Sequence, residues 1–310
     1  MANVTLPTPM RPGATLPTLA ILGASVCFGL VPLFVRELYA LGMAGTGIAF
    51  WRFAFSAVVM LPFLPLARAK RRQALMVGGA GLAQGLSWVC YMHAIETGPL
   101  AITGVIYMSY PIFALIFAWV LLKSRPTGRA WIAGALVLAA SALVIGGDGA
   151  GLNGASLGTL LWSVPAPVFF GLIIVVLSSM VMGLSPFERM AAGMWGSVIG
   201  LAPLAIFAEP GTFQPGSTDA WLAIAGLGAV TALVPQLVYT FACARVGPAR
   251  AAAAGSIELP TMIAIGWLAF AEQPGWIECA AVAMVLAAIL MAPPIAAPAK
   301  AAVVRTERVV

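Results

Sequence analysis

Charge is the first thing this sequence lacks. Only 8% of its 310 residues are Asp, Glu, Lys or Arg, against about a quarter in a soluble domain. That is too little charge to wet a surface, and it excludes a water-soluble globular fold. Histidine is nearly absent, with His93 the single copy. Four cysteines (Cys27, Cys90, Cys243, Cys279) stand alone in apolar stretches, with no C-x-x-C. They read as small buried residues, which excludes a disulfide scaffold or a thiolate metal centre. No Walker A sequence and no H-E-x-x-H occur, so neither an ATP-driven pump, an ATPase partner nor a zinc hydrolase is implied. No cofactor, metal or catalytic residue is expected.

What the chain has instead is apolar length. It is 62% hydrophobic, with a mean hydropathy of +1.02. A membrane-spanning helix needs about 20 mostly apolar residues. Ten such stretches are expected at 17–37, 45–66, 73–95, 99–122, 127–146, 156–181, 186–207, 218–243, 248–271 and 274–293. They fill nearly the whole chain, which leaves no room for a soluble domain. The net charge of +6 then reports topology rather than nucleic-acid binding. With the N-terminus inside, fourteen basic residues fall on the inner side, from Arg11, Arg68, Lys70 and Arg189 to Arg308. One, Arg36, falls outside, and Arg52 lies within a span. Glu37, Glu96, Asp148, Glu209, Asp219 and Glu272 all fall outside. Both termini are therefore expected in the cytoplasm.

The halves repeat one another. TGPLAITGVIYMSYP at 97–111 and VGPARAAAAGSIELP at 246–260 share Gly-Pro and a second proline twelve residues on. Each half holds five spans, an odd number, so the second enters the membrane upside down. Twelve residues beyond the second proline stands Lys123 in one copy and Glu272 in the other. The backbone pattern is kept while the charge changes sign, as an inverted repeat under the positive-inside rule requires. FWRF at 50–53 and FERM at 187–190 repeat this more faintly. The expected organisation is a tail (1–16), a five-helix repeat (17–147), a glycine-rich linker (148–155), an inverted five-helix repeat (156–293) and a second tail (294–310). The linker contains a literal G-x-G-x-x-G, but no strand precedes it. GASLG at 154–158 matches G-x-S-x-G without the strand or His that a nucleophile elbow needs, so an intramembrane enzyme stays a remote alternative. A channel would need a ring of repeated polar groups, and none is seen.

Polar residues fall on faces. Gln84, Trp88 and Tyr91 share one side of the third span, and Thr103, Tyr107 and Tyr110 one side of the fourth. In the eighth, Gln236 is followed by Tyr239 or Thr240, then Cys243. The first offers Ser25, Phe28 and Pro32, and the sixth Trp162, Ser163, Pro167 and Phe170. Such a set can line a cavity with aromatic faces and amide or hydroxyl tips, or simply pack helices and sit in interface belts. Pro111 and Pro260 each lie about 18 Å along their span, and each frees a carbonyl in the preceding turn. Both breaks fall near mid-membrane. Glu258 is the one acid placed deep in a span. It either binds a substrate ammonium or carries a coupling proton, or it is a structural carboxyl paired with Arg52 or a serine. His93 reads as a surface or capping residue. Gly81/Gly85 and Gly196/Gly200 have the G-x-x-x-G spacing of close helix packing.

Ten spans in two inverted halves, Pro111, Pro260, Arg52, Glu258 and Glu272 together resemble the drug/metabolite transporter superfamily, in particular its EamA-type members. Within that group the aromatic and polar faces look most like YddG-type exporters of aromatic amino acids. One departure is Leu259, which separates Glu258 from Pro260 where many relatives have glutamate directly before proline. The resemblance implies a secondary or facilitative transporter in the bacterial inner membrane, with the lipid bilayer and a small-molecule substrate as its partners. It implies export of amino acids, aromatic and other apolar ones preferred, by alternating access. The alternative is export of another amphiphilic solute, such as a drug, nucleobase or purine.

Overall fold

The computed structural model describes residues 15–97, 106–147, 157–207, 209–270 and 275–291. Thr103, Glu272, the first Gly-Pro, the linker and nearly all of both tails lie outside the described residues. The described residues are helical throughout, with no strand among them.

In the first half, α1 (Thr15–Gly29) and α2 (Val31–Ala40) form one apolar stretch broken at Leu30. Then follow α3 (Gly45–Val59), α4 (Arg71–Thr97), α5 (Tyr110–Leu122) and α6 (Gly128–Gly147). The second half opens with α7 (Leu157–Ser163) and α8 (Pro165–Val175), which continues as a π-helical turn at Val176–Met180. α9 (Pro186–Phe207) and the short α10 (Pro210–Phe213) come next. α11 (Thr218–Gly228), a π turn (Ala229–Leu233) and α12 (Val234–Val246) run on as one stretch. The half ends with α13 (Pro248–Gly255), α14 (Glu258–Phe270) and α15 (Trp276–Met291). Among the described residues, six stretches are long and apolar enough to cross a membrane: Thr15–Ala40, Arg68–Ala94, Leu161–Met180, Pro186–Ile206, Thr218–Val246 and Pro248–Ala269. Shorter apolar helices cover Gly45–Val59, Tyr110–Leu122, Gly128–Leu143 and Cys279–Met291.

The packing obeys the repeat. α1 lies on α12 as α4 lies on α8; α5 lies on α8 as α14 lies on α1; α3 meets α11 as α9 meets α4. Equivalent elements meet in pairs as well: α3 with α9 and α6 with α15. Exchanging the halves maps each of these contacts onto another of the same kind. The largest buried cluster accordingly mixes Ile21, Val77 and Tyr110 of the first half with Ile174, Ala242 and Cys243 of the second.

Both kinds of punctuation have a visible structural effect. Gly247 has φ 79°, a left-handed conformation open in practice to glycine. Pro248, which has no N–H to leave unsatisfied, starts the next helix. Four stretches are broken mid-way: at Leu30, at Met108–Ser109, at Val164 and at Ser256–Ile257. A proline stands just beyond each break, at Pro32, Pro111, Pro165 and Pro260. The breaks expected at Pro111 and Pro260 thus begin three or four residues upstream of the ring, where its missing N–H and bulk are felt.

The tightest helix pair is α4 with α9, one from each half. A methyl added at Gly81 would collide with the carbonyl of Gly193, at Gly85 with that of Ser197, at Gly196 with that of Gly78, and at Gly200 with that of Leu82. The glycines are reciprocal, each opening room for the other helix's backbone. Gly79, one residue off this face, has nothing within 4 Å of the place a methyl would occupy. Gly85→Val is therefore expected to destabilise the protein by about 1–3 kcal/mol or more through overpacking. Gly79→Ala should be neutral or slightly stabilising. Thermal unfolding in detergent, followed by size-exclusion fluorescence, checks the difference.

Candidate functional site

Three of the four breaks, at Leu30, Met108–Ser109 and Ser256–Ile257, border one cavity of about 420 Å³. Phe28 and Pro32 flank the first break and Tyr107 precedes the second. Phe170 comes from α8, and Glu258 is the first residue of α14. Wall residues from α3, α4, α9 and the α11–α12 stretch complete it, so both halves contribute.

One side is aromatic. Tyr107 is its hub, with ring centroids 6.0 Å from Trp88, 5.6 Å from Tyr91, 5.8 Å from Phe170 and 5.9 Å from Tyr110. Trp88 meets Tyr91 edge-on at 5.1 Å and Phe53 at 6.3 Å. Tilted and edge-on pairs like these hold each ring in place and leave π faces for a flat ligand. The polar tips are few: Gln84, Gln236, Thr240 and Ser197.

Two opposite charges face the same space. Glu258 stands at the N-terminus of α14, where unpaired backbone N–H groups and the helix dipole favour an anion. The equivalent position in the first half is Ser109, so the repeat keeps the break and changes the chemistry. Arg52, on α3, donates from Nη2 to the carbonyl of Thr231 at 2.6 Å. Its Cζ sits 5.6 Å from the Phe53 ring centroid, a cation–π contact. Arg52 and Glu258 are near enough to feel one another's charge. No ion pair under 4 Å joins them among the described residues. Of the alternatives open for Glu258, direct ion pairing with Arg52 is not made.

The expected site residues divide. Gln84, Trp88, Tyr91, Tyr107, Gln236 and Glu258 line the cavity together. Tyr110 lies behind Tyr107, 1% exposed, its hydroxyl donating to the carbonyl of Ala252 at 3.4 Å. Tyr239 lies behind Phe28, ring to ring at 6.3 Å. Of the two candidates one turn after Gln236, the cavity takes Thr240 rather than Tyr239. Trp162 does not reach the cavity. It is 46% exposed and stacks edge-on against His93 at 4.9 Å. Ser163, buried beside the break at Val164, is not in the lining either. Both sit on α7, before the chain turns inward, and a helical wheel drawn through the break misplaces them. Pro111 and Pro260 act on the backbone and do not line the cavity.

Some lining residues carry no sequence signal of a site. Charge counting places Arg189 on the inner face, yet it is 5% exposed and lines the cavity. Its Nε donates to the carbonyl of Leu184 at 3.0 Å and its Nη1 to that of Leu177 at 3.2 Å. Leu177 belongs to the π turn after α8, and Thr231 to the π turn after α11. A π turn leaves carbonyls out of the regular ladder. The two arginines of the FWRF/FERM echo therefore do the same local job. The echo holds the signal that charge counting hides.

The two ends of the molecule differ. Lys70 Nζ meets Glu188 Oε1 at 2.7 Å and Oε2 at 2.9 Å, tying the segment before α4 to the start of α9. Glu188 also accepts from the N–H of Ser185 at 2.8 Å, completing a capping box. Gln73 accepts from the N–H of Gly183 at 2.9 Å. None of these residues lines the cavity. At the other end the cavity reaches Gly45 and Tyr39, which is 54% exposed.

A thiol test separates the cavity wall from the interior. In a chain whose other cysteines are replaced, Gln236→Cys, at a half-buried wall position, is expected to react with a small water-soluble methanethiosulfonate at least about tenfold faster than the native Cys243, which is 0% exposed, because access governs thiol reactivity. Equal rates, measured by mass spectrometry, would refute the assignment of the cavity wall.

The family model of the EamA-like transporter family matches this chain twice, over residues 15–146 and 157–292. No curated relative matches it. A solved structure described only as "Crystal structure of protein" superposes with a TM-score of 0.74 at 15% identity, over 89% of this chain and 96% of that one. At that identity the likeness shows the fold alone. The two family matches coincide with the two halves that the packing exchanges. The chain belongs to the EamA-like transporter family and is a multi-pass helical membrane transporter built from two EamA repeats.

Proposed function

We propose that this transporter exports amino acids, aromatic and other apolar ones preferred, by alternating access. The observation that carries the reading is the cavity itself. Its volume of about 420 Å³ falls among the sizes usual for small-molecule sites, about 300–1,000 Å³. It combines a wall of aromatic rings with amide tips and a carboxylate at a helix N-terminus. Rings stack on an aromatic side chain, amides pair with its polar end, and Glu258 pairs with its ammonium. Tyr110 and Tyr239, also expected at the site, would act from behind this wall.

The membrane arrangement proposed is ten spans, the six long stretches and four shorter ones, as two inverted five-helix repeats with cytoplasmic termini. The basic residues support it. Lys70, Arg71 and Arg72 then lie inside, and so does the end sealed by Lys70 and Glu188. The end at Tyr39 and Gly45 lies outside, so this conformation is the outward-open one. Export from the cell across the inner membrane follows from the YddG-type resemblance. Gln84 and Gln236 also suit a nucleobase, whose edge needs paired donors and acceptors, and they keep that alternative substrate in view.

Counterflow in proteoliposomes tests the reading. Preloaded phenylalanine, tryptophan and methionine should drive uptake of labelled phenylalanine, whereas nucleosides and sugars should not. Exchange with a nucleobase alone would reverse the choice of substrate. Trp88→Ala should weaken half-saturation by phenylalanine several-fold, since an aromatic pair is worth about 0.5–1.5 kcal/mol. Glu258→Gln should lower exchange at least about tenfold, the cost of a charge-assisted hydrogen bond. Normal transport by Glu258→Gln would leave Glu258 a structural carboxyl.

A further inference from the structure

We infer that Arg52 receives the carboxylate of the transported solute, so that Arg52 and Glu258 together make the site select zwitterions. The inference rests on the amino-acid reading above. Among the cavity's wall residues, Arg52 has spare donors beside the carboxylate of Glu258. One nitrogen, Nη2, is spent on Thr231. Nε is shielded from solvent and has no partner. Among the described residues nothing accepts a hydrogen bond from Nη1. A guanidinium carries five donors in a planar fork matched to a carboxylate. Here most of that capacity is unused within a membrane-embedded protein, where an unpaired charge is costly.

The local geometry explains why the side chain stays where it is. The π turn at Ala229–Leu233 frees the Thr231 carbonyl that holds Nη2. Thr231 Oγ1 in turn donates to the carbonyl of Leu227 at 2.7 Å, steadying that turn. The Phe53 ring lies 5.6 Å from Cζ. Arg52 is thus braced on one edge and open on another. Arg189, the other arginine of the cavity, differs in this respect: Nε and Nη1 are both engaged by carbonyls. The assignment therefore goes to Arg52.

Glu258 shares the cavity with Arg52, approaches it closely enough for electrostatic attraction, and forms no ion pair with it under 4 Å. A solute carrying both a carboxylate and an ammonium can bridge them and neutralise both. A solute carrying one charge leaves the other group unpaired. A site built to pair a polar group rejects the analogue lacking it far more strongly than it rejects a change in apolar size.

The test uses the full chain in proteoliposomes and three labelled solutes: phenylalanine, phenethylamine without the carboxylate, and 3-phenylpropionate without the ammonium. The wild type should half-saturate with phenylalanine at a concentration at least about tenfold below either analogue. Arg52→Gln should raise that value for phenylalanine to near that for phenethylamine, and move phenethylamine itself less than about threefold. Arg52→Lys keeps the charge and loses the fork; it should weaken phenylalanine and spare phenethylamine in the same sense. If Arg52→Gln does not assemble, the Arg52→Lys pair of values decides. Equal weakening of phenylalanine and phenethylamine would make Arg52 a structural brace and overturn the inference while leaving the amino-acid reading intact. Unchanged phenylalanine transport would overturn it likewise. A wild type that exchanges no phenylalanine would overturn both.

Discussion

Two backbones approach within glycine distance where α4 crosses α9, and much of the remaining architecture follows from that approach. In lipid there is little hydrophobic gain from bringing two apolar helices together, so association depends on close van der Waals fit. Gly81 and Gly85 on one helix and Gly196 and Gly200 on the other supply the fit by removing side chains at the crossing. Because α4 belongs to the first repeat and α9 to the second, this contact also sets how the halves face each other. It brings Gln84 and Trp88 of α4 and Gly193 and Ser197 of α9 into one wall of the cavity. A wider crossing would open the wall of the site.

The second constraint is backbone hydrogen bonding. A membrane-spanning helix satisfies its own N–H and C=O groups, and a break is tolerated only where something else satisfies them or where they face a cavity. Three of the four breaks here border one space, while Val164, at the fourth, is 42% exposed at the surface. Prolines make them, and the repeat makes them in pairs: Leu30 with Val164, and Met108–Ser109 with Ser256–Ile257. The two π turns release further carbonyls, and those are taken up by Arg52 and Arg189. The cavity is thus where the irregular backbone of both repeats collects, and its polar character is a by-product of the same breaks. Only at Glu258 does the second repeat add a charge where the first has Ser109.

Several features could be read from residues in order. Composition alone requires a membrane, because so few charges cannot cover a soluble surface. The repeat is legible because a Gly-Pro turn and a mid-helix proline leave local marks that survive divergence. Gln84, Trp88 and Tyr91 are legible as one face because α4 is unbroken there, so helical spacing holds. Trp162 and Ser163 fail for the converse reason: the break at Val164 lies between them and Phe170, and a wheel does not continue through a break. Arg189 fails because a basic residue near a span end looks the same to charge counting whether it meets solvent or a carbonyl.

What the sequence determined by itself is therefore local and compositional: apolar spans, their punctuation, the duplication, and a carboxylate at the start of a half-helix. What only the tertiary structure decided is which faces meet. It chose Thr240 over Tyr239, set Tyr110 behind Tyr107, turned Arg189 inward, and left Arg52 near Glu258 without joining them. Such choices depend on contacts between residues more than a hundred positions apart, whose geometry is set by how closely α4 and α9 approach and by where the helices break. No spacing along the chain encodes those distances.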